Sequence, residues 1–176
     1  VTLHKPETGG VGMPINEMKI NTVNNKQSLK QVKTIQMAYA KTPYFKEYFS
    51  LIEDYFLSGS NNLMERNMLF IKEVMSILKI NTKIVYSSSL NVDSKSTTLL
   101  VDLISKVNAN TYLCGEGGRD YQDEKLFKSN NISLEYNEVN HFKYNQLRCE
   151  QHVAGLSIID GLFHLGGDAL SENINY

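Results

Sequence analysis

Between Thr111 and Tyr121 an apolar, β-prone run, Tyr112-Leu113-Cys114, stops abruptly at Gly115, Gly117 and Gly118 and continues into Arg119-Asp120-Tyr121. Glycine costs folding entropy and is used where backbone turns tightly or approaches a ligand closely. The guanidinium beside it is planar, always charged and shaped for carboxylate or phosphate. A strand end that opens into such a loop constrains the chain toward an α/β architecture with a binding surface at that end. It names no reaction by itself.

A chain of 176 residues suits one domain. A domain of this size buries most of its unfolded surface and needs no staples. Net charge is −1 and the basic residues are dispersed, so the electrostatic footprint of a nucleic-acid binder is absent. The two cysteines, Cys114 and Cys149, lack metal-ligand spacing, and Cys114 falls in a predicted buried strand. The reading is therefore no disulfide framework, no metal, and a reducing cytoplasm. No apolar run approaches the roughly 20 residues that span a bilayer, and no signal peptide is read. The chain begins at Val1, and residues 1–4 resemble a strand interior, so the expectation is a piece truncated at its N-terminus. An uncovered edge on such a strand favours self-association, hence an expected homo-oligomer.

The predicted elements follow from periodicity. Residues 1–4 read as a strand, 5–14 as a turn-rich loop and 15–21 as an extended piece. Residues 27–41 have helical spacing, with Leu29, Val32, Ile35, Ala38 and Tyr39 on one face. Pro43 breaks that helix, and a second runs to Leu57 with Phe45, Phe49, Ile52 and Phe56 as its stripe. A third covers 62–78. Residues 83–86 read as a strand, 97–107 as a helix and 111–114 as a strand, together one right-handed βαβ unit. A short helix at 123–129, a strand at 132–136, an irregular stretch at 141–154 and a helix at 157–165 ended by Gly166-Gly167 complete the pass. The expected fold is α/β and three-layer-like: a mostly parallel sheet with flanking helices and a helical segment in the first half, in a single domain over residues 1–176.

In open parallel sheets ligands bind outside the carboxyl ends of the strands. Two such ends are readable, one at Ser87-Ser88-Ser89 and one at the 115–121 loop. The first continues through Lys95, Ser96 and Thr97 into a helix start, where free N–H groups favour anions. Ser96 and Thr97 either cap that helix or hold a phosphate. The substrate-binding candidates are Ser88, Lys95, Gly115, Gly117, Gly118, Arg119 and Tyr121. The opposing reading is a plain turn, with Arg119 and Asp120 paired at the surface. Gly115-Glu116-Gly117 lacks the third glycine of a dinucleotide fingerprint. The histidines are scattered and read first as structural or exposed, His141 and His164 included. Asp160, among Ile158, Ile159, Leu162 and Phe163, is either exposed on the far face or buried and paired.

Four blocks in order resemble the WbqC-like protein family. They are Lys33-Thr34-Ile35-Gln36-Met37-Ala38-Tyr39-Ala40-Lys41-Thr42-Pro43-Tyr44-Phe45; Tyr112 to Tyr121 followed by Phe127; Phe142-Lys143-Tyr144-Asn145-Gln146; and Leu156 to Phe163, ending at Gly166. The similarity covers the family's C-terminal two thirds; its opening Gln-Pro-x-Tyr-Leu-Pro-Trp-like block is absent, and with it any substrate or catalytic groups it carries.

The resemblance implies an α/β protein of bacterial surface-polysaccharide (O-antigen, lipopolysaccharide) gene clusters, handling a nucleotide-linked amino sugar. It suggests transfer of an aminoacyl group such as glycine to the sugar amine. Such a step needs an oxyanion stabiliser and a base. The N–H groups of Gly117 and Gly118 suit the first, and Asp120, Asp160 or His141 the second. Two other readings compete: a nucleotide-binding or nucleotidyl-transferring enzyme, and a non-catalytic binding or scaffold protein. The sequence names no cofactor, and the expected partner is a small molecule.

Overall fold

The computed structural model describes residues 13–20, 25–57, 60–138 and 142–174. The strand expected at 1–4, most of the loop after it, and His141 lie outside the described residues. The chain divides into two compact units, Val1–Asn81 with His141–Tyr176, and Thr82–Asn140. The fold is mixed helix and strand with a parallel pair, as the α/β expectation has it.

The first unit is helical. Its elements are α1 (Asn25–Tyr39), α2 (Phe45–Leu57), α3 (Leu63–Ile77) and a last helix of residues Ile158–Ile174. The stripes legible in the sequence meet here: Val32, Phe45, Ile52 and Phe163 form one buried cluster. Val74, Leu78, Leu162 and Leu170 form a second. α3 starts where Asn62 accepts the Glu65 N–H at 3.1 Å, satisfying one of the free donors of a helix start. The extended piece expected at 15–21 is a turn at 15–17 and a single antiparallel bridge, Lys19 with Asn62, which buries Ile20.

The last helix breaks at Gly166, as the glycine pair implied, and then resumes. Gly166 has φ 77° and ψ 167°, a conformation that side chains reject. A Cβ there would meet the Tyr44 ring at 2.7 Å. The N–H of Gly167 donates to the Tyr48 hydroxyl at 2.9 Å, replacing a bond lost at the break.

The second unit holds α4 (Ser96–Lys106), β1 (Thr111–Gly115), α5 (Glu124–Ser129) and β2 (Ser133–Asn137). The Ile158–Ile174 helix of the first unit, last in chain order, is α6. β1 and β2 pair in parallel, Thr111 opposite Ser133 through Gly115 opposite Asn137. Phe127, fully buried, packs with Val101, Ile104 and Ile132 beneath the pair, its ring stacked 5.4 Å from Tyr112.

Two expectations are corrected. Residues 83–86 join no ladder among the described residues: Ile84 and Tyr86 half-bury, while Lys83 and Val85 face solvent. β propensity without a pairing partner does not make a strand. The crossover that forms is therefore β1–α5–β2 rather than the one through α4. Thr97 and Ser96 also leave the α4 cap unmade. Lys95 holds the N-cap position without a side-chain bond. The buried Thr97 hydroxyl instead accepts the Asp123 N–H at 3.1 Å, joining α4 to the start of α5.

Gly166→Ala should lower stability by about 2–3 kcal/mol, since it adds backbone strain and a clash. Gly117→Ala, with open space around it, should change stability by less than about 0.5 kcal/mol. Urea denaturation midpoints check both; equal effects would contradict the assignment of Gly166 as a conformational glycine.

Candidate functional site

The residues singled out in the sequence fall in two places. Ser88, Lys95, Gly115, Gly117, Gly118, Arg119, Asp120 and Tyr121 belong to the second unit, and Asp160 to the first.

In the second unit β1 runs directly into a 3-10 helix, Glu116–Tyr121. Gly118 is packed so closely on Cys114 and Gln122 that a Cβ would meet Gln122 Nε2 at 2.9 Å. Gly115 and Gly117 have no neighbour within 4 Å of a Cβ position, so their backbone stays open to approach. Arg119 lies with its guanidinium carbon 4.1 Å from the centre of the Tyr136 ring, a cation–π contact. Tyr136 in turn donates to Glu124 at 3.2 Å. Arg119 is thus placed by β2, at the carboxyl ends of the parallel pair. Gln122 Nε2 donates to the Cys114 sulfur at 2.9 Å, which leaves the buried Gln122 Oε1 unpartnered. Ser88 and Lys95 are exposed, Ser88 in a short 3-10 helix, and Tyr121 is 82% exposed.

In the first unit Asp160 resolves its two alternatives: it is buried and paired. It sits in the first turn of α6, where the helix N-terminus favours a carboxylate. Its Oδ2 accepts from the Tyr144 hydroxyl at 2.6 Å and from Gln146 Nε2 at 3.3 Å. His164, one turn on, has Nδ1 2.8 Å from the Asp160 carbonyl and 3.5 Å from Oδ1. Its Nε2 accepts the Leu147 N–H at 2.8 Å. A nitrogen that accepts carries no proton, so His164 is the neutral Nδ1–H tautomer. Burial, then a hydrogen bond to Asp160, pushes the Tyr39 phenol up to about 12. The Tyr144 phenol is raised for the same reasons in the same order.

Sequence periodicity missed what this cluster supports. Gln146 is buried and clamps Val153 at two points: Nε2 donates to the Val153 carbonyl at 3.0 Å, and Oε1 accepts the Val153 N–H at 2.7 Å. Residues 146–153 therefore close as a loop, pinned at its base by Gln146 and at Leu147 by His164. Within it Arg148 adopts φ 63°. A pocket of about 420 Å³ is lined by Lys143, Tyr144, Asn145, Gln146, Cys149, Glu150 and His152. His152 packs edge-on against Tyr144, ring centres 5.1 Å apart, and its buried Nε2 has no partner. Cys149 is exposed, whereas Cys114 is buried. No group of three or more metal-ligating side chains occurs among the described residues.

The fold and these polar sites define a mixed α/β protein with a helical unit organised around a buried carboxylate. The chain belongs to the WbqC-like protein family, whose model matches residues 5–172. A protein of Mycobacterium tuberculosis (strain ATCC 25618 / H37Rv), named only as the uncharacterized protein Rv1507c, is 25% identical over 139 residues, 78% of this chain. The match spans 60% of that protein's length. No solved structure matches the chain significantly. No described helix is long and apolar enough to cross a membrane.

The Tyr39 shift carries a sign. Unfolded Tyr39 loses its proton near 10.0 and the folded phenol only near about 12. Its contribution to stability is full below pH 10 and is lost as pH rises toward 12. Tyr39→Phe should therefore flatten the alkaline limb of a stability–pH profile measured by urea denaturation. An unchanged limb would place the Tyr39 hydroxyl outside the cluster.

Proposed function

We propose that the chain is a transferase-like protein of bacterial surface-polysaccharide precursor biosynthesis, acting in the cytoplasm on a small-molecule substrate. The reaction proposed is transfer of an aminoacyl group, such as glycyl, to the amine of a nucleotide-linked amino sugar. The amine nitrogen attacks the acyl carbonyl, the amide bond forms, the donor's leaving group departs, and a base takes the amine proton. The class rests on family membership.

The observation that carries the nucleotide part is the placement of Arg119 over Tyr136, beside the open backbone of Gly115 and Gly117. A guanidinium fixed by an aromatic face loses little freedom on binding phosphate, and it stands where parallel sheets take ligands. Ser88, Lys95, Gly118 and Tyr121 are the other proposed contacts, with Gln122 Oε1 as an added acceptor. Asp120 is exposed on the 3-10 turn, which suits it to proton transfer better than the buried Asp160. The Asp160 carboxylate is occupied by Tyr144 and Gln146, and we assign it a positioning role.

Thermal unfolding with UDP-glucosamine, ATP and free amino acids tests this reading. A ligand at 100 times its Kd stabilises by about 2.7 kcal/mol. The sugar nucleotide should raise Tm, and Arg119→Ala should abolish that shift while unfolding normally without ligand. A shift with ATP alone would favour a nucleotidyl-transferring enzyme. No shift with any of them would favour a non-catalytic binding protein, and an undiminished shift in Arg119→Ala would remove the loop from the site.

A further inference from the structure

His164 lies on α6, one turn after Asp160, and its side chain is 5% exposed. A backbone N–H can only donate. The 2.8 Å bond from the Leu147 N–H to Nε2 therefore requires a bare nitrogen there. The proton of the neutral ring is then on Nδ1, 2.8 Å from the Asp160 carbonyl. The tautomer is thus fixed by a bond that only the neutral ring can make. Histidine is also the side chain that ordinarily changes charge between about pH 5 and about pH 8.

A second proton can go only to Nε2. It would set two N–H groups head to head, and the Leu147 bond would be lost. At the other nitrogen the new charge is favoured. Asp160 Oδ1 lies 3.5 Å from Nδ1, and the groups that hold this buried carboxylate, Tyr144 and Gln146, are uncharged. An imidazolium would neutralise it, and the pairing offsets part of the cost of burying both charges. The rings that face His164 do not take up the proton. Tyr39 of α1 and Tyr144 stand with ring centres 6.0 Å away. Burial, then Asp160, raises both phenols, so both stay protonated through this range. Cys149 acts on Tyr39, and His152 packs against Tyr144 with ring centres 5.1 Å apart. Of these neighbours His152 is the other imidazole, and the test must tell it from His164.

We propose that His164 is a proton-operated catch on the 146–153 loop. Neutral, it accepts from Leu147 and fixes that end of the loop. Protonated, it pairs with Asp160 and releases Leu147. The Gln146–Val153 clamp stays closed, because an amide and a peptide group take no proton in this range. Gln146, Cys149 and Glu150 of this loop line the pocket of about 420 Å³, so the shape of that pocket follows the charge on His164. The inference concerns the pin of a loop and not a ligand, so it holds whether or not the transferase reading does.

NMR of the full chain tests it. The imidazole nitrogen shifts report the protonation of His164 and His152 separately. Exchange of the Leu147 amide, corrected for the intrinsic effect of pH, reports the catch. Between about pH 8 and about pH 5 the protection of Leu147 should fall at least about threefold, the scale of one hydrogen bond lost. Its midpoint should coincide with that of His164. Amides in the middle of α3 should keep their protection in the same samples. His164→Gln offers an acceptor that takes no proton, so Leu147 should keep its protection at low pH. Should that variant fail to fold, the coincidence of the two midpoints in the unaltered chain decides. The proposal is overturned if His164 stays neutral throughout the range, or if it titrates while Leu147 keeps its protection. A Leu147 transition that follows His152 instead, or an equal loss in α3, overturns it too.

Discussion

A carboxylate taken out of water costs several kcal/mol unless donors replace its hydration, and Asp160 is 3% exposed. That single requirement organises one side of the helical unit. Tyr144 and Gln146 must reach it from the segment before α6, and Tyr39 from the end of α1. Because Gln146 is drawn in, its amide is in position to clamp Val153. Because His164 lies one turn along the same helix, its far nitrogen meets the Leu147 N–H. An irregular stretch without helix or strand thus acquires a fixed shape from one buried charge.

The second unit uses a different device. Its 3-10 turn after β1 is set by contact rather than by charge: Gly118 gives way to Cys114 and Gln122, and the Arg119 side chain is laid on Tyr136 of the neighbouring strand. The same segment therefore contains one glycine needed for packing and two, Gly115 and Gly117, that packing does not need. The latter pair is what the proposed nucleotide site draws on.

Much of this was legible because periodicity reports burial. The stripes through Val32, Phe45 and Ile52 predicted the first two helices, and the break at Gly166 was visible in the glycine pair. The strand reading at 83–86 failed because Ile84, Val85 and Tyr86 carry β propensity without a partner strand, a tertiary fact that no local pattern encodes. The fixed loop at 146–153 was illegible for a related reason. Its bonds run from side chains to backbone, through Gln146 and His164, and leave no repeating apolar signal. Asp160 stood out as a charge in an apolar stretch. That signal pointed to the helix but not to the loop the helix holds, although the nearby Tyr144, Gln146 and His152 are polar residues of types that commonly serve such clusters.

Amide hydrogen exchange at Leu147 and Val153 in an Asp160→Ala variant bears most directly on the claim that the buried carboxylate holds the loop. Loss of the acceptor should free Tyr144 and Gln146, and exchange at those two amides should accelerate at least about tenfold, a loss of about 1.4 kcal/mol of protection. Amides in the middle of α3, which pack through Val74, should keep their relative protection in the same sample. Unchanged exchange at Leu147 and Val153 would contradict the account, since the loop would then keep its shape without the charge.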